Sequence, residues 1–446
     1  MTITRFAPSP TGHLHLGNLR SCFLNWVFAK KNNGKFILRY DDTDQERSRE
    51  EFIVSIASDL KWLNIDYDET FYQSKRIERY NELFDSLISK NFVYPCFESN
   101  EDLEIKKKLQ LKAGKPPIYD RESLLLSKDE IEKKILNGEN PHWRFKLSQS
   151  KISWNDLVKG TTEVDLSSQS DPVLRREDGS YLYHFPSVVD DIDMKITHII
   201  RGEDHLSNSA VHNELFQSLE SVPPLFGHNP LMLNEDGTKL SKRNFDSISI
   251  NKFKAKGYTT NSILSYLCSV GLNKDVNFKE VAINAFADFD LSKISKNLPK
   301  LDIQKIDHFQ KNSLRNMNIA DIKNEFIELE ELKITEKEWN LIKDNIETYE
   351  NIKELLDIIR RKKIEITPNK EFIKLLKNNI SEIKDLKFDA YISFLIEKDN
   401  KLSKKDIFTN TRYIFTGNNN GPSVKDLYLF FGFSGLERIL NEFEAL

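Results

Sequence analysis

The sequence predicts an α/β protein built on a parallel sheet, interrupted by an inserted segment and followed by a helical part. Three observations predict this. The first 70 residues run strand, helix, strand, helix with short connections. That rhythm breaks from about residue 71 to 180 and then returns. From about residue 250 onward, strand-like runs give way to helical periodicity.

Residues 2–7 read as a strand, ended by the Pro/Ser/Gly run of 8–12. Residues 16–31 read as a helix, with Leu19, Cys22, Phe23, Trp26, Val27 and Ala29 recurring at helical spacing. Asn32-Asn33-Gly34 stops it. A second strand, 35–40, and a second helix, 48–63, follow. Strand, helix, strand with short joints is a βαβ unit, and such a crossover implies parallel pairing. The segment 71–180 holds helical stretches at 75–90 and 101–113, the pair Pro116-Pro117 and a β-like run at 143–147. It reads as an insertion between two halves of one fold. Residues 196–201 and 206–219 resume the strand–helix pattern. Helices are expected at 263–270, 322–329, 336–345, 351–359 and 370–378. No repeat period or low-complexity tract interrupts the chain.

Composition bounds the class. Hydrophobic residues make up 39% and charged residues 30%, as expected of a globular protein with a charged surface. No apolar run approaches the roughly 20 residues that span a bilayer. The N-terminus has no basic segment followed by an apolar one, so no secretion signal is expected. The three cysteines are odd in number and far apart, which argues against a disulfide framework and for a reducing cytoplasm. The net charge is −4, from 65 Lys plus Arg against 69 Asp plus Glu, and neither supports nor excludes a nucleic-acid partner. The runs Lys106-Lys107-Lys108 and Arg360-Arg361-Lys362-Lys363 read as solvated helix faces.

Two strings carry chemistry. The first, RFAPSPTGHLHLGNLRS, spans residues 5–21. It is a strand end, a tight Pro/Gly loop and a helix start, whose free N–H groups and dipole favour a phosphate. It brings His13, His15 and Gly17 to that start, and a glycine there permits close approach of a nucleotide. The second, GTKLSKRN, spans 237–244 and sets Lys239 and Lys242 around Ser241, with Arg243 next. Lysines on a glycine-started loop suit the charge that develops on a triphosphate during attack at its α-phosphorus. Alone, HLGN is an ordinary turn and KxxKR a basic surface loop. The acid pairs Asp41-Asp42 and Asp190-Asp191 read as turns or helix caps rather than metal ligands.

Together the strings decide the reading. FAPSPTGHLHLGN resembles the HIGH signature of class I aminoacyl-tRNA synthetases in the form used by bacterial glutamyl-tRNA synthetases, and KLSKR resembles that class's KMSKS signature. LRYDDTDQERS (38–48) and the stretch 183–209 are similar to further segments of the glutamate enzymes. The resemblance runs over nearly the whole chain and thins in the last third. It implies a Rossmann-like catalytic domain (1–75 and 185–245), an inserted acceptor-end-binding domain (76–184), a stem-contact domain (246–320) and a helical anticodon-binding domain (321–446).

It also implies roles. Arg5 and Arg201 would receive the carboxylates of glutamate, a task for which a forked guanidinium is suited. Ala7, Ser9, Asp41, Tyr183 and Ser187 would surround the amino acid. His15, Gly17, Asp204 and Met232 would meet ATP, and Lys239, Ser241, Lys242 and Arg243 its phosphates. His15, Lys239 and Lys242 would be catalytic, by neutralising charge rather than by acid–base transfer. The sequence departs from the family pattern at Asn18, Asp41, Leu182 and Ser187. Some members hold zinc in the inserted domain; here Cys96 stands alone there, so no protein-bound zinc is expected and magnesium would arrive with ATP. The implied partners are glutamate, ATP and tRNA(Glu), with tRNA(Gln) left open, for a monomeric cytoplasmic ligase. The competing readings are a catalytically inactive tRNA-binding paralogue and a shorter relative that modifies a base within tRNA. Degraded phosphate signatures would favour the former, and the long helical C-terminal stretch argues against the latter.

Overall fold

The computed structural model describes residues 1–240, 247–272 and 289–443. Two compact units emerge: residues 1–252 with 264–302, and residues 253–263 with 303–446.

The first unit opens with β1 (Ile3–Phe6), α1 (Leu16–Lys31), β2 (Lys35–Tyr40), α2 (Glu50–Trp62) and β3 (Glu69–Tyr72). The three strands pair in parallel in the order β1-β2-β3, with Arg5 opposite Ile37 and Arg39 opposite Phe71. Gly34 is needed at the joint, because a Cβ there would sit 2.2 Å from the Thr2 carbonyl oxygen. Helix α1 buries Leu19, Cys22, Phe23, Trp26, Val27 and Ala29, the positions its periodicity marked.

The inserted stretch holds α3 (Ile77–Ser89), β4 (Val93–Cys96), α4 (Asn100–Lys112), α5 (Lys128–Leu136) and β5 (His142–Phe145). The hairpin of β6 (Lys151–Asp156) and β7 (Gly160–Asp165) and the strand β8 (Val173–Arg175) follow. Strands β4, β5 and β8 form an antiparallel sheet. The α/β pattern resumes with α6 (His184–Asp193), β9 (His198–Gly202), α7 (Leu206–Ser218) and β10 (Leu225–Asn229). Strands β9 and β10 are parallel, with Arg201 opposite His228. Thr197 ties this pair to β1, donating its N–H to the Ile3 carbonyl at 2.9 Å. One core packs α3, α6 and α7 through Tyr80, Phe84, Phe185, Val188 and Leu215.

The second unit is helical among its described residues. Trp339, Ile342, Leu356, Leu376, Tyr391, Ile414 and Leu427 centre its core. The helix expected at 322–329 is instead Ile319–Glu325 followed by a 3₁₀ segment, Ile327–Leu332. Phe326 separates them with φ −128° and ψ 85°, outside the helical region. Residues Val424–Glu442 bend at Gly432, whose φ of 61° is open to glycine. Across the chain the three cysteines, Cys22, Cys96 and Cys268, are unpaired and buried. Among the described residues no helix is long and apolar enough to cross a membrane.

Candidate active site

The carboxyl ends of β1, β2, β9 and β10 open on one cleft of about 470 Å³. This is where parallel sheets hold ligands, in the crevice beyond strand ends at the point where connections diverge. The loop after β1 brings Ala7 and Ser9, and the start of α1 brings His15 and Gly17. Asp41 follows β2, Tyr183 precedes α6, and Arg201 and Asp204 close β9. Met232 and Lys239 complete the wall beyond β10.

His15 caps α1. Its Nδ1 accepts from the N–H groups of Gly17 (3.2 Å) and Asn18 (3.4 Å), while Asn18 Oδ1 accepts from the His15 N–H at 2.8 Å. This reciprocal capping box explains why Asn serves at position 18. Burial lowers the His15 pKa to about 4, so the ring is neutral and fit to accept. A Cβ on Gly17 would lie 3.1 Å from the His15 ring. The glycine therefore makes room for the capping imidazole. His13 points elsewhere: its Nδ1 meets Ser55 Oγ at 2.9 Å, and its ring packs edge-on against Phe52.

Two buried arginines face the cleft. Arg5 pairs with Asp191 through Nε at 3.2 Å. Arg201 is 6% exposed and donates from Nη1 to the Tyr183 hydroxyl at 2.9 Å and from Nη2 to Ser209 Oγ at 2.6 Å. Its Nε has no partner. Among the described residues no carboxylate forms an ion pair with Arg201. A buried cation with no directly paired acid is costly, and this geometry leaves Arg201 able to receive an anion. Burial and the nearby Arg5 lower its pKa.

Behind Arg5 stands a charge network. Arg39 is fully buried, and its Nε donates to Asp41 Oδ1 at 2.7 Å and its Nη1 to Asp191 Oδ1 at 2.8 Å. Arg76 Nε donates to Asp190 at 2.7 Å, and Gln73 and Tyr80 also donate to Asp190. Burial pushes Asp41 up to about 6, against the pull of Arg39. The expectation that Asp190-Asp191 forms a turn or helix cap is corrected here. Both lie inside α6 with no exposed side-chain surface, because they balance the arginines of neighbouring elements. Asp42 does satisfy a turn, accepting from Ser74 N–H and Oγ.

Arg5, Ala7, Ser9, His15, Gly17, Asp41, Tyr183, Arg201, Asp204, Met232 and Lys239 thus meet around one space. Ser187 does not line it: its hydroxyl is buried without a partner, and its carbonyl accepts from Arg39. Ser241, Lys242 and Arg243 lie outside the described residues. The model of the family described as tRNA synthetases class I (E and Q), catalytic domain, matches residues 1–308. A glutamate–tRNA ligase of Ehrlichia canis is 38% identical over 445 residues, 98% of this chain and 99% of its own. One of Rickettsia prowazekii is 40% identical, with 95% of each chain covered. The chain belongs to the glutamate–tRNA ligases of the class I tRNA synthetase family. A crystal structure of the glutamate tRNA ligase from Elizabethkingia meningosepticum, in complex with its amino acid, superposes with a TM-score of 0.83 at 26% identity. That match covers 99% of this chain and 98% of that one.

In this ligase several lining residues escape a sequence reading. Arg39 follows the apolar run Phe36-Ile37-Leu38 in strand KFILRY, and a charge inside such a buried run is the signal that could have marked it. His205 lines the cleft and contacts the Tyr183 hydroxyl at 3.4 Å, with nothing in the local sequence to single it out. Arg20 is 2% exposed on α1 and donates to the Pro230 carbonyl, holding the cleft wall beyond β10.

Proposed function

We propose that the cleft activates glutamate and that its residues divide between the amino acid and ATP. As a glutamate–tRNA ligase, the chain joins glutamate to tRNA with the use of ATP. The observation that carries the assignment of roles is Arg201: a buried guanidinium with no acidic partner among the described residues, beside Arg5 in the same cleft. Two arginines and one acid, Asp41, complement the two carboxylates and one ammonium of glutamate. Ala7, Ser9 and Tyr183 flank the amino acid, with Ser187 supporting from behind through its carbonyl contact to Arg39. His15, Gly17, Asp204 and Met232 take the nucleoside, and Lys239, Ser241, Lys242 and Arg243 the phosphates of the magnesium complex.

The α-carboxylate of glutamate attacks the α-phosphorus of ATP, giving glutamyl-adenylate and pyrophosphate. A ribose hydroxyl of the terminal adenosine of tRNA then takes the glutamyl group and releases AMP. Positioning and neutralised charge lower both barriers, and a dedicated protein base is not required. This reading includes no resident zinc. In the insert Cys96, Glu98 and His142 bring one donor each within 4.8 Å. Glu98 already accepts from Tyr119 (2.6 Å) and Ser123 (2.8 Å), and burial raises the Cys96 thiol to about 11. His142 Nε2 is buried without a hydrogen-bond partner, but three donors, one of them already engaged, fall short of a four-ligand site.

Residues 76–184 are proposed to hold the acceptor end, 246–320 the stem and 321–446 the anticodon, in a monomeric cytoplasmic enzyme. The acceptor proposed is tRNA(Glu); charging tRNA(Glu) and tRNA(Gln) side by side tests whether the second is also used. The central experiment incubates purified chain with glutamate, ATP and tRNA. Acid-labile glutamyl-RNA is the expected product, and its absence would refute the reading. Lys242→Ala is expected to slow activation by about a hundredfold or more.

A further inference from the structure

Arg201 is held by groups that carry no charge, and those groups lead to a carboxylate in the inserted hairpin. Ser209 Oγ, which accepts from Arg201, lies 2.7 Å from His228 Nε2. His228 Nδ1 lies 2.5 Å from Asp156 Oδ2. Ser209 and His228 have no exposed surface, and Asp156 is 3% exposed. Ser209 is on α7, His228 on β10 beside Arg201 of β9, and Asp156 ends β6.

The donors and acceptors can be assigned outward from Asp156, the Ser209 proton having the His205 carbonyl at 3.2 Å as a second, longer acceptor besides His228 Nε2 at 2.7 Å. Asp156 Oδ1 accepts from the backbone N–H groups of His228, Val158 and Lys159, each at 3.0 Å. Burial acts to raise its pKa, but these donors and His228 outweigh burial and hold it below the ordinary carboxylate value. An ionised Asp156 accepts only, so His228 Nδ1 donates to it. Burial also lowers the His228 pKa, leaving Nε2 an acceptor for the Ser209 proton. Ser209 Oγ then has its lone pairs for Arg201. This is the order of a Ser-His-Asp hydrolase, but Ser209 is sealed from solvent and its oxygen is committed to a guanidinium, so it is no nucleophile.

We propose that Asp156, His228 and Ser209 form a buried hydrogen-bond relay that orients Arg201 to receive a substrate carboxylate, with all three acting as positioning residues. The proposal rests on Arg201 as carboxylate receptor, the reading given above. A direct acid on Arg201 would fix it equally well but would cancel its charge. The relay keeps the negative group two side chains away and satisfied by its own donors. Arg201 is thereby held in place while its charge stays available to the ligand.

The test compares Ser209→Ala, His228→Asn, Asp156→Asn and the double variant Ser209→Ala/His228→Asn in the full chain. Steady-state aminoacylation gives KM for glutamate and for ATP, and thermal melting reports the fold. Each single variant is expected to raise the glutamate KM about tenfold with the ATP KM near wild type. The double variant is expected to be no worse than Ser209→Ala, because both changes cut the same chain of bonds. Three results would overturn the relay: an unchanged glutamate KM in folded Ser209→Ala and His228→Asn, a joint rise of both KM values with a lower melting temperature, or additive losses in the double variant. A wild-type chain that cannot charge tRNA with glutamate would overturn the reading of the cleft, and the relay with it. Normal wild-type kinetics with unaffected variants would overturn the relay alone.

Discussion

Arg39 Nη1 and Asp191 Oδ1 meet at 2.8 Å, and neither side chain is exposed to solvent. The same Asp191 oxygen accepts from Arg5, so a residue of α6 fixes a guanidinium that reaches the cleft from β1. Removing one partner of such a group leaves buried charge uncompensated. Asp191→Asn is expected to cost about 3–5 kcal/mol in urea unfolding and to raise the glutamate KM. Glu82→Gln, at the exposed pair with Arg79, is the control and is expected to cost less than about 1 kcal/mol.

Asp41, proposed to face the ammonium of glutamate, is expected to set the acid limb of activity. Its carboxyl is pushed up to about 6 by burial, and its charged form is the one suited to an ammonium. The kcat/KM for glutamate is therefore expected to fall as pH drops through about 6. In Asp41→Asn the profile should lose this limb, and the value at neutral pH should drop toward the acid plateau. Initial-rate measurements from pH 5 to 8 check this.

His15 has two tasks that substitution can separate. Its ring accepts the first backbone donors of α1 and also lines the cleft. His15→Ala is expected to lower stability by about 1 kcal/mol and to cut activity. Asn is a good cap, so His15→Asn is expected to recover the stability and leave activity low. Melting temperature alongside the rate of glutamate activation distinguishes the two effects.

Acid is expected to weaken the fold through histidines that are buried neutral. Burial lowers His15, His184 and His205 to about 4 and His212 well below its ordinary 6.5. Between about 6.5 and 4 the unfolded chain binds these protons and the folded one does not. Stability is thus full above 6.5 and declines as pH falls, by at most about 1.4 kcal/mol per pH unit per histidine. Asp41 and Asp190 run the opposite way: burial raises both, so the folded state binds their extra protons above 3.8, for Asp41 up to about 6. Two such groups do not offset four, and burial also lowers His142, His198 and His228. Urea midpoints at pH 7, 6 and 5 measure the net slope.

Local patterns were legible and long-range charge pairing was not. Helix Leu16–Lys31, strand Lys35–Tyr40 and helix Lys370–Asn378 have the bounds their periodicity predicts, because the signals for them lie within the element. The hairpin β6–β7 was missed: its own pairing is local, but its place in the fold is set by contacts such as Leu157 N–H to the Phe226 carbonyl, far away in sequence. The same separation hid the partners of Asp190 and Asp191, since Arg39 and Asp191 lie 152 residues apart. For the cleft, the two signature strings led directly to Arg5, His15 and Lys239. The resemblance then supplied Asp41, Tyr183 and Arg201, while Ser187, chosen by the same analogy, lies behind the wall.

The sealed cysteines have a practical consequence. Burial raises Cys96 to about 11, Cys268 to about 12 and Cys22 well above its usual range. Thiolate is the reactive form, so all three should resist maleimide at neutral pH while the chain is folded. A single cysteine introduced on the exposed face of Lys404–Thr416 would then take a fluorophore selectively, with no native thiol removed.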